Sequence, residues 1–290
     1  MYEINVNLTL RRRQAQVFRC PKRFIVVVAG RRWGKTTVAM WWLIVNAFSG
    51  DDRLCYYLAP TYRQVKRIAW TALKKLIPPS ARSRISEQEL LIELPNGSTI
   101  QLHGADHPDS LRGVGLDCAV LDEYAMMRAD TWPAVVQPML SDRQGRALFI
   151  GTPKSFNCLY DLYVHAESNE KWGAFHFATE EGGYVLPEEL AALQVDMDQV
   201  RYAQEFRASF QSLQSRVYHA FDRKLNVTDL TLLPNADLLI GMDFNISPMS
   251  AVIAQRAGDQ CQIIDEIVLT NSNTQQMMDE INRSTKGATE

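Results

Sequence analysis

Phe24-Ile25-Val26-Val27-Val28-Ala29-Gly30-Arg31-Arg32-Trp33-Gly34-Lys35-Thr36-Thr37 runs from an apolar stretch, through a basic loop containing two glycines, into the start of a helix. The apolar part is rich in β-branched residues and does not alternate, the pattern of a strand covered on both faces in a parallel sheet. Val38-Ala39-Met40-Trp41-Trp42-Leu43-Ile44-Val45 follows as a helical segment. Between strand and helix, Ala29-x-x-x-x-Gly34-Lys35-Thr36 fits the spacing of a phosphate-binding loop, with Ala29 where the pattern has its first glycine. Small residues such as Gly30 and Gly34 let backbone N–H groups close on phosphates, the helix N-terminus favours an anion, and Lys35, Thr36 and Thr37 meet phosphate and Mg²⁺. A basic turn between strand and helix would account for Arg31 and Arg32, but not for Gly34-Lys35-Thr36 at that point.

Further strands flank this unit. Leu54-Cys55-Tyr56-Tyr57-Leu58-Ala59 is a second buried strand closed by Pro60, and Cys118-Ala119-Val120-Leu121 and Ala147-Leu148-Phe149-Ile150 are a third and a fourth. Glu89–Leu94 and Ser98–Leu102, separated by Pro95-Asn96-Gly97, read as a hairpin, because Asn-Gly suits the tight turn between antiparallel strands. Strands alternating with helices predict an α/β fold with a doubly wound, mainly parallel sheet. The third strand ends in Asp122-Glu123, the acidic pair that completes a P-loop NTPase: Asp122 holds the Mg²⁺ shell, and Glu123 orients or deprotonates water. Two adjacent carboxylates also serve as a plain helix cap, so their meaning comes from the phosphate loop. Thr152, in Gly151-Thr152-Pro153, sits where a hydroxyl senses the γ-phosphate, or simply ends a strand. Arg112, with Arg31 or Arg32, is a candidate for neutralising transition-state charge.

At 290 residues the chain exceeds the usual limit of one core, so a second domain is expected. Its composition, 46% hydrophobic and 22% charged, excludes a disordered protein, and a net charge of −2 excludes a globally basic one. The charge is uneven, however. Nine basic residues face the single acid Glu3 between Met1 and Lys35, and seven face none between Pro60 and Ser86. Such faces attract a polyanion, or are ordinary solvated helix surfaces. Five scattered cysteines without a C-x-x-C pair argue against a disulfide framework or a zinc site. No apolar run is long enough to span a bilayer, and no signal-like N-terminus appears, which points to the cytoplasm.

Taken together, these stretches resemble the large subunit of a tailed-phage terminase. The resemblance extends through Gln14-Ala15-Gln16-Val17-Phe18, Leu58-Ala59-Pro60-Thr61-Tyr62-Arg63-Gln64, Leu111-Arg112-Gly113 and Val120-Leu121-Asp122-Glu123-Tyr124-Ala125. It implies that Gln14, with Gln16 as the alternative, contacts adenine, and that Gly151-Thr152-Pro153 couples hydrolysis to movement. It further implies ATP hydrolysis driving double-stranded DNA into a procapsid through a portal protein, by a homo-oligomeric ring in the host cytoplasm. A small terminase subunit would choose the DNA.

The family's second half is an RNase H-like nuclease that uses clustered carboxylates and two Mg²⁺ or Mn²⁺ ions. Gly241-Met242-Asp243-Phe244 resembles its first catalytic strand, with Asp243 as the first ligand. Asp265 and Glu266, read as ending the next strand, are further candidates or merely solvated acids. The expected division is an ATPase over 1–210, a linker over 211–235, and the first part of the nuclease over 236–290. The later catalytic acids of the family have no counterpart before Glu290, and the closing Ser284–Glu290 is small and polar. The expectation is therefore an ATPase that does not cut DNA. Two rivals stand beside it: a helicase-like P-loop ATPase, and a defective prophage remnant without activity.

Overall fold

Phe24–Ala29 forms strand β1, and its side chains divide between two cores. Ile25, Val27 and Ala29 pack on one face of the sheet, Val26 and Val28 on the other. Each fully buried aliphatic side chain contributes about 1.5–3 kcal/mol, so neither face tolerates a polar residue and the run cannot alternate. The structure, a computed structural model, describes residues 9–210, 223–234, 236–245 and 248–285. It divides into two compact units, Met1–Arg216 and Val217–Glu290. Of the expected linker, residues 211–222 and 235 lie outside the described residues, as does the closing stretch 286–290.

The first unit is built on an eight-stranded sheet. Its strands are β1, β2 (Leu54–Ala59), β3 (Arg84–Ser86), β4 (Leu91–Glu93), β5 (Thr99–Gly104), β6 (Cys118–Asp122), β7 (Arg146–Gly151) and β8 (Trp172–Phe177). They lie in the order β3-β4-β5-β2-β6-β7-β1-β8. From β5 to β8 all neighbours are parallel, and β3-β4-β5 is an antiparallel meander. The expected hairpin is β4-β5, and Gly97 takes φ +78° in its turn. β2, β6 and β7 divide their residues between the same two cores as β1 does. Helix α1 (Arg12–Phe18) precedes β1 and helix α2 (Lys35–Phe48) follows it, with Val38–Ile44 buried throughout.

Two features of this order build the site. β7 lies between β1 and β6, so the residues after β7 emerge between the phosphate loop and the acidic pair. All three strands are parallel and end on the same edge, the place where open α/β sheets bind ligands.

The second unit holds a three-stranded antiparallel sheet in the order β11-β10-β9, from β9 (Leu238–Asp243), β10 (Met249–Ala257) and β11 (Gln260–Leu269). Helix Thr274–Thr285 packs on one face through Met277 and Ile281, against Met249, Ala251, Ile253 and Ile267. One expectation fails here. Asp265 and Glu266 lie in the middle of β11 rather than at its end, because Ile267-Val268-Leu269 continues the β-branched, apolar strand beyond them.

Candidate active site

The loop between β1 and α2 is held from behind by close backbone packing. Gly34 adopts φ +98°, and a Cβ there would come within 2.2 Å of the Gln14 amide nitrogen. At Gly30 a Cβ would lie 2.3 Å from Thr179 Oγ1 and 2.5 Å from the Phe206 carbonyl oxygen. Gln14 is fully buried, and its Nε2 donates to the Trp33 and Gly34 carbonyls at 3.3 and 3.4 Å. Its Oε1 accepts from Tyr184 Oη at 3.2 Å. Trp33 is fully buried and stacks on Phe177 at 5.0 Å between ring centroids. Arg31 donates its N–H to the Glu205 carbonyl at 2.7 Å, and its guanidinium pairs with the Glu205 carboxylate.

Lys35 is the buried cation of this loop. Its Nζ donates to the Ala29 carbonyl at 2.9 Å, the Gly30 carbonyl at 3.0 Å and Thr152 Oγ1 at 2.9 Å. An ammonium has three N–H groups, so all its donors are engaged. Burial pulls its pKa below the usual lysine range, while the nearby Glu123 and Asp122 carboxylates oppose that fall. A cation kept in a buried site by two carboxylates is placed to meet phosphate.

Asp122 ends β6 and is also buried. Tyr57 Oη donates to its Oδ2. Burial first, and the neighbouring Glu123 second, push the carboxyl up from its ordinary 3.8 to about 6, against the pull of Tyr57 and Lys35. Glu123 follows at φ 50°, ψ 44°, left-handed geometry that costs a non-glycine residue about 1–2 kcal/mol. The turn lifts Glu123 out of the sheet edge to a half-buried position while Asp122 stays inside. The two carboxylates thereby acquire different surroundings. Asp122 and the Thr36 hydroxyl supply hard oxygen donors of the kind Mg²⁺ prefers, and Glu123 has the access to solvent that a water-activating base needs.

Residues 26–226 match the family described as terminase large subunit, T4likevirus-type, N-terminal. The chain belongs to this family. It is 29% identical to the terminase large subunit of Thermus phage G20c over 170 residues, which are 52% of this chain and 35% of that protein. The terminase large subunit of Escherichia phage T5 is 23% identical over 246 residues, 80% of this chain and 55% of that one. The chain thus spans at most about half the length of these relatives. Its fold is that of the large terminase ATPase domain of Thermus phage P74-26, with a TM-score of 0.62 at 24% identity over 70% of this chain and 94% of that one. The large terminase of a thermophilic bacteriophage, solved in one crystal form with ADP, also scores 0.62 at 15% identity, over 96% of this chain and 74% of that one.

In this terminase chain, the predicted Gln14, Gly30, Gly34, Lys35 and Thr152 are joined by direct hydrogen bonds, and the adjacent Asp122 and Glu123 lie near enough to act on the charge of Lys35. Thr36 and Thr37 stand in the first turn of α2, half-buried and exposed respectively. The arginine candidates separate. Arg31 is tied to Glu205, whereas Arg32 is exposed with φ +61°. Arg112 is exposed and pairs with Asp109 at 2.9 Å, and among the described residues no hydrogen bond or ion pair joins it to the phosphate loop. Asp243 ends β9, exposed, and accepts from Asn245 Nδ2 at 2.9 Å. Among the described residues no group of three or more His, Cys, Asp or Glu side chains is placed to hold a metal.

Three site residues of this terminase chain carry no signal in its sequence. Tyr57 is one aromatic in an apolar strand, and Gln204 and Glu205 end the polar helix Gln199–Glu205. Gln204 Nε2 donates to the Pro153 carbonyl at 2.9 Å, so this helix end touches both the phosphate loop and the turn after β7.

Proposed function

We propose that this chain is the ATP-hydrolysing part of a viral DNA-packaging motor. The observation that carries the reading is the arrangement around Lys35: one buried ammonium joins the phosphate loop to Thr152, with Asp122 and Glu123 close enough to hold its charge. The phosphates of ATP would take the place of the Ala29 and Gly30 carbonyls at Lys35 Nζ and meet the first N–H groups of α2, which lack intrahelical acceptors. Mg²⁺, held by Thr36 and Asp122, would neutralise charge on the β- and γ-phosphates. Glu123 orients or deprotonates the attacking water. Thr152 reports loss of the γ-phosphate through its bond to Lys35, and Arg31, Arg32 or Arg112 offsets transition-state charge. Gln14, bonded to the loop carbonyls, ties adenine recognition to loop geometry. The thermophilic-phage terminase was solved with ADP and with ATP-gamma-S, which supports ATP as the ligand.

The work done would be translocation of double-stranded DNA into a procapsid. Support comes from Arg63, Lys66, Arg67 and Lys75, exposed on the helical stretch after β2 and outside the ion pairs that Lys74 and Arg84 make with Glu87 and Glu93. Such charges suit sequence-tolerant contact with a phosphate backbone. The reading includes a portal protein, a small terminase subunit that selects DNA, a homo-oligomeric ring, and action in the host cytoplasm. Among the described residues no helix is long and apolar enough to cross a membrane. Residues 1–210 would be the ATPase and 236–290 the first part of an RNase H-like nuclease, joined through 211–235. There Asp243 is offered as a ligand for Mg²⁺ or Mn²⁺.

The test is steady-state ATP hydrolysis by the purified chain, with and without double-stranded DNA. Turnover that DNA stimulates and Glu123→Ala abolishes is the expected result. Nucleotide binding without any turnover, DNA present or absent, would overturn the motor reading for this chain.

A further inference from the structure

Tyr57 lies outside both motifs that point to a nucleotide, yet its hydroxyl bonds directly to the second of them. On β2 it pairs with Val120 of β6, so Asp122, two residues on, projects from the same face of the neighbouring strand. Its ring is fully buried in the core beneath α2, among residues that include Trp42 and Leu43. Tyr56, one residue earlier, faces the opposite core, its ring tilted against that of His103 at 4.4 Å between centroids. Tyr57 Oη donates to Asp122 Oδ2. A phenylalanine would fill this position equally well in the apolar core. The hydroxyl is therefore explained by Asp122, the first member of the acidic pair.

We propose that Tyr57 is a positioning residue for the metal–nucleotide site, holding the Asp122 carboxylate through one hydrogen bond. The argument rests on the ATP reading above. A carboxylate with Oδ2 fixed by the phenol can no longer spin freely, and its Oδ1 keeps one direction. Groups that orient metal ligands in this way matter to affinity about 10–100-fold although they never touch the metal.

The test uses the full chain and a fluorescent N-methylanthraniloyl ATP analogue, titrated with Mg²⁺ and, separately, in EDTA. Tyr57→Phe is expected to raise the Mg²⁺ concentration for half-maximal tightening about tenfold and to leave affinity in EDTA within about twofold. In an Asp122→Asn background the same change should have no further effect on the Mg²⁺ requirement, because the group it positions is gone. An unchanged Mg²⁺ requirement in Tyr57→Phe would overturn the proposal. So would equal losses with Mg²⁺ and in EDTA, or loss of cooperative melting, since each would mark the hydroxyl as purely structural. Failure of the wild type to bind the analogue under either condition would instead remove the ATP reading, and this inference with it.

Discussion

Lys35 Nζ donates to Thr152 Oγ1 at 2.9 Å, both residues buried, so the phosphate loop and the turn after β7 are joined by one hydrogen bond. With its other two protons on the Ala29 and Gly30 carbonyls, Lys35 can reach a phosphate only by loosening an existing contact. Thr152→Val keeps the shape and removes the hydroxyl. It should cost about 1.5–3 kcal/mol in urea denaturation, the value of a hydrogen bond to a charged group. DNA stimulation of ATP hydrolysis should fall at least tenfold while nucleotide affinity stays within about threefold. Intact stimulation would show that Thr152 is only a strand-end hydroxyl.

Glu123 holds left-handed geometry without being glycine, and strain of this kind persists where function requires it. Glu123→Ala keeps the strain, because alanine also has a Cβ. Glu123→Gly removes it. Both variants should lose ATP turnover by more than about a hundredfold, within the range of a missing general base. The glycine variant should nevertheless melt higher than the alanine variant, by a margin of about 1 kcal/mol. Equal melting temperatures would mean that the turn carries no strain.

Gly30 has no room for a methyl group, since Thr179 Oγ1 and the Phe206 carbonyl already stand where its Cβ would go. The obstructing Phe206 atom is backbone, which does not swing aside. Gly30→Ala should therefore destabilise the first unit by about 1–3 kcal/mol, the usual cost of overpacking. It should also weaken nucleotide binding, because Arg31 and its bond to the Glu205 carbonyl shift with the loop. Thermal melting and a nucleotide titration check the two effects, and wild-type values in both would refute them.

His103 is partly buried against Tyr56, and its Nε2 is buried without a hydrogen-bond partner among the described residues. Burial lowers its pKa below the ordinary 6.5. The unfolded chain therefore binds the proton more readily than the folded one, and stability falls as pH drops below about 6.5. His103→Phe keeps an aromatic ring against Tyr56 and removes the titration. Its melting temperature should vary less between pH 7 and pH 5 than the wild type's; identical curves would exclude His103 as a source of the dependence.

Much of this was legible in the sequence, for a physical reason. β1, β2, β6 and β7 each feed two cores, so their residues are apolar without interruption, and the chemical groups Lys35, Asp122 and Thr152 come directly after such runs. β8 is not legible in the sequence because it is an edge strand with a single neighbour, and Gly173 and His176 break its apolar run. β3, three residues long at the other edge, gives too little pattern to read. Tyr57 and Glu205 act across distances of 65 and 174 residues in the chain, which no local spacing records. The resemblance implies a base contact for Gln14, and the structure shows its amide bracing the phosphate loop.

The place of β1 in the sheet also sets a condition on how the protein is made. Both of its neighbours, β7 and β8, arrive more than a hundred residues later in the chain. At a synthesis rate of about 5–20 residues per second, the newborn Phe24–Ala29 stretch waits roughly 7–30 s for its second partner. For that interval the strand that will carry the phosphate loop is an unpaired hydrophobic segment, the kind that associates with other unfinished chains. Yield in an expressing cell should therefore depend on chaperone supply and growth temperature before it depends on the stability of the finished fold.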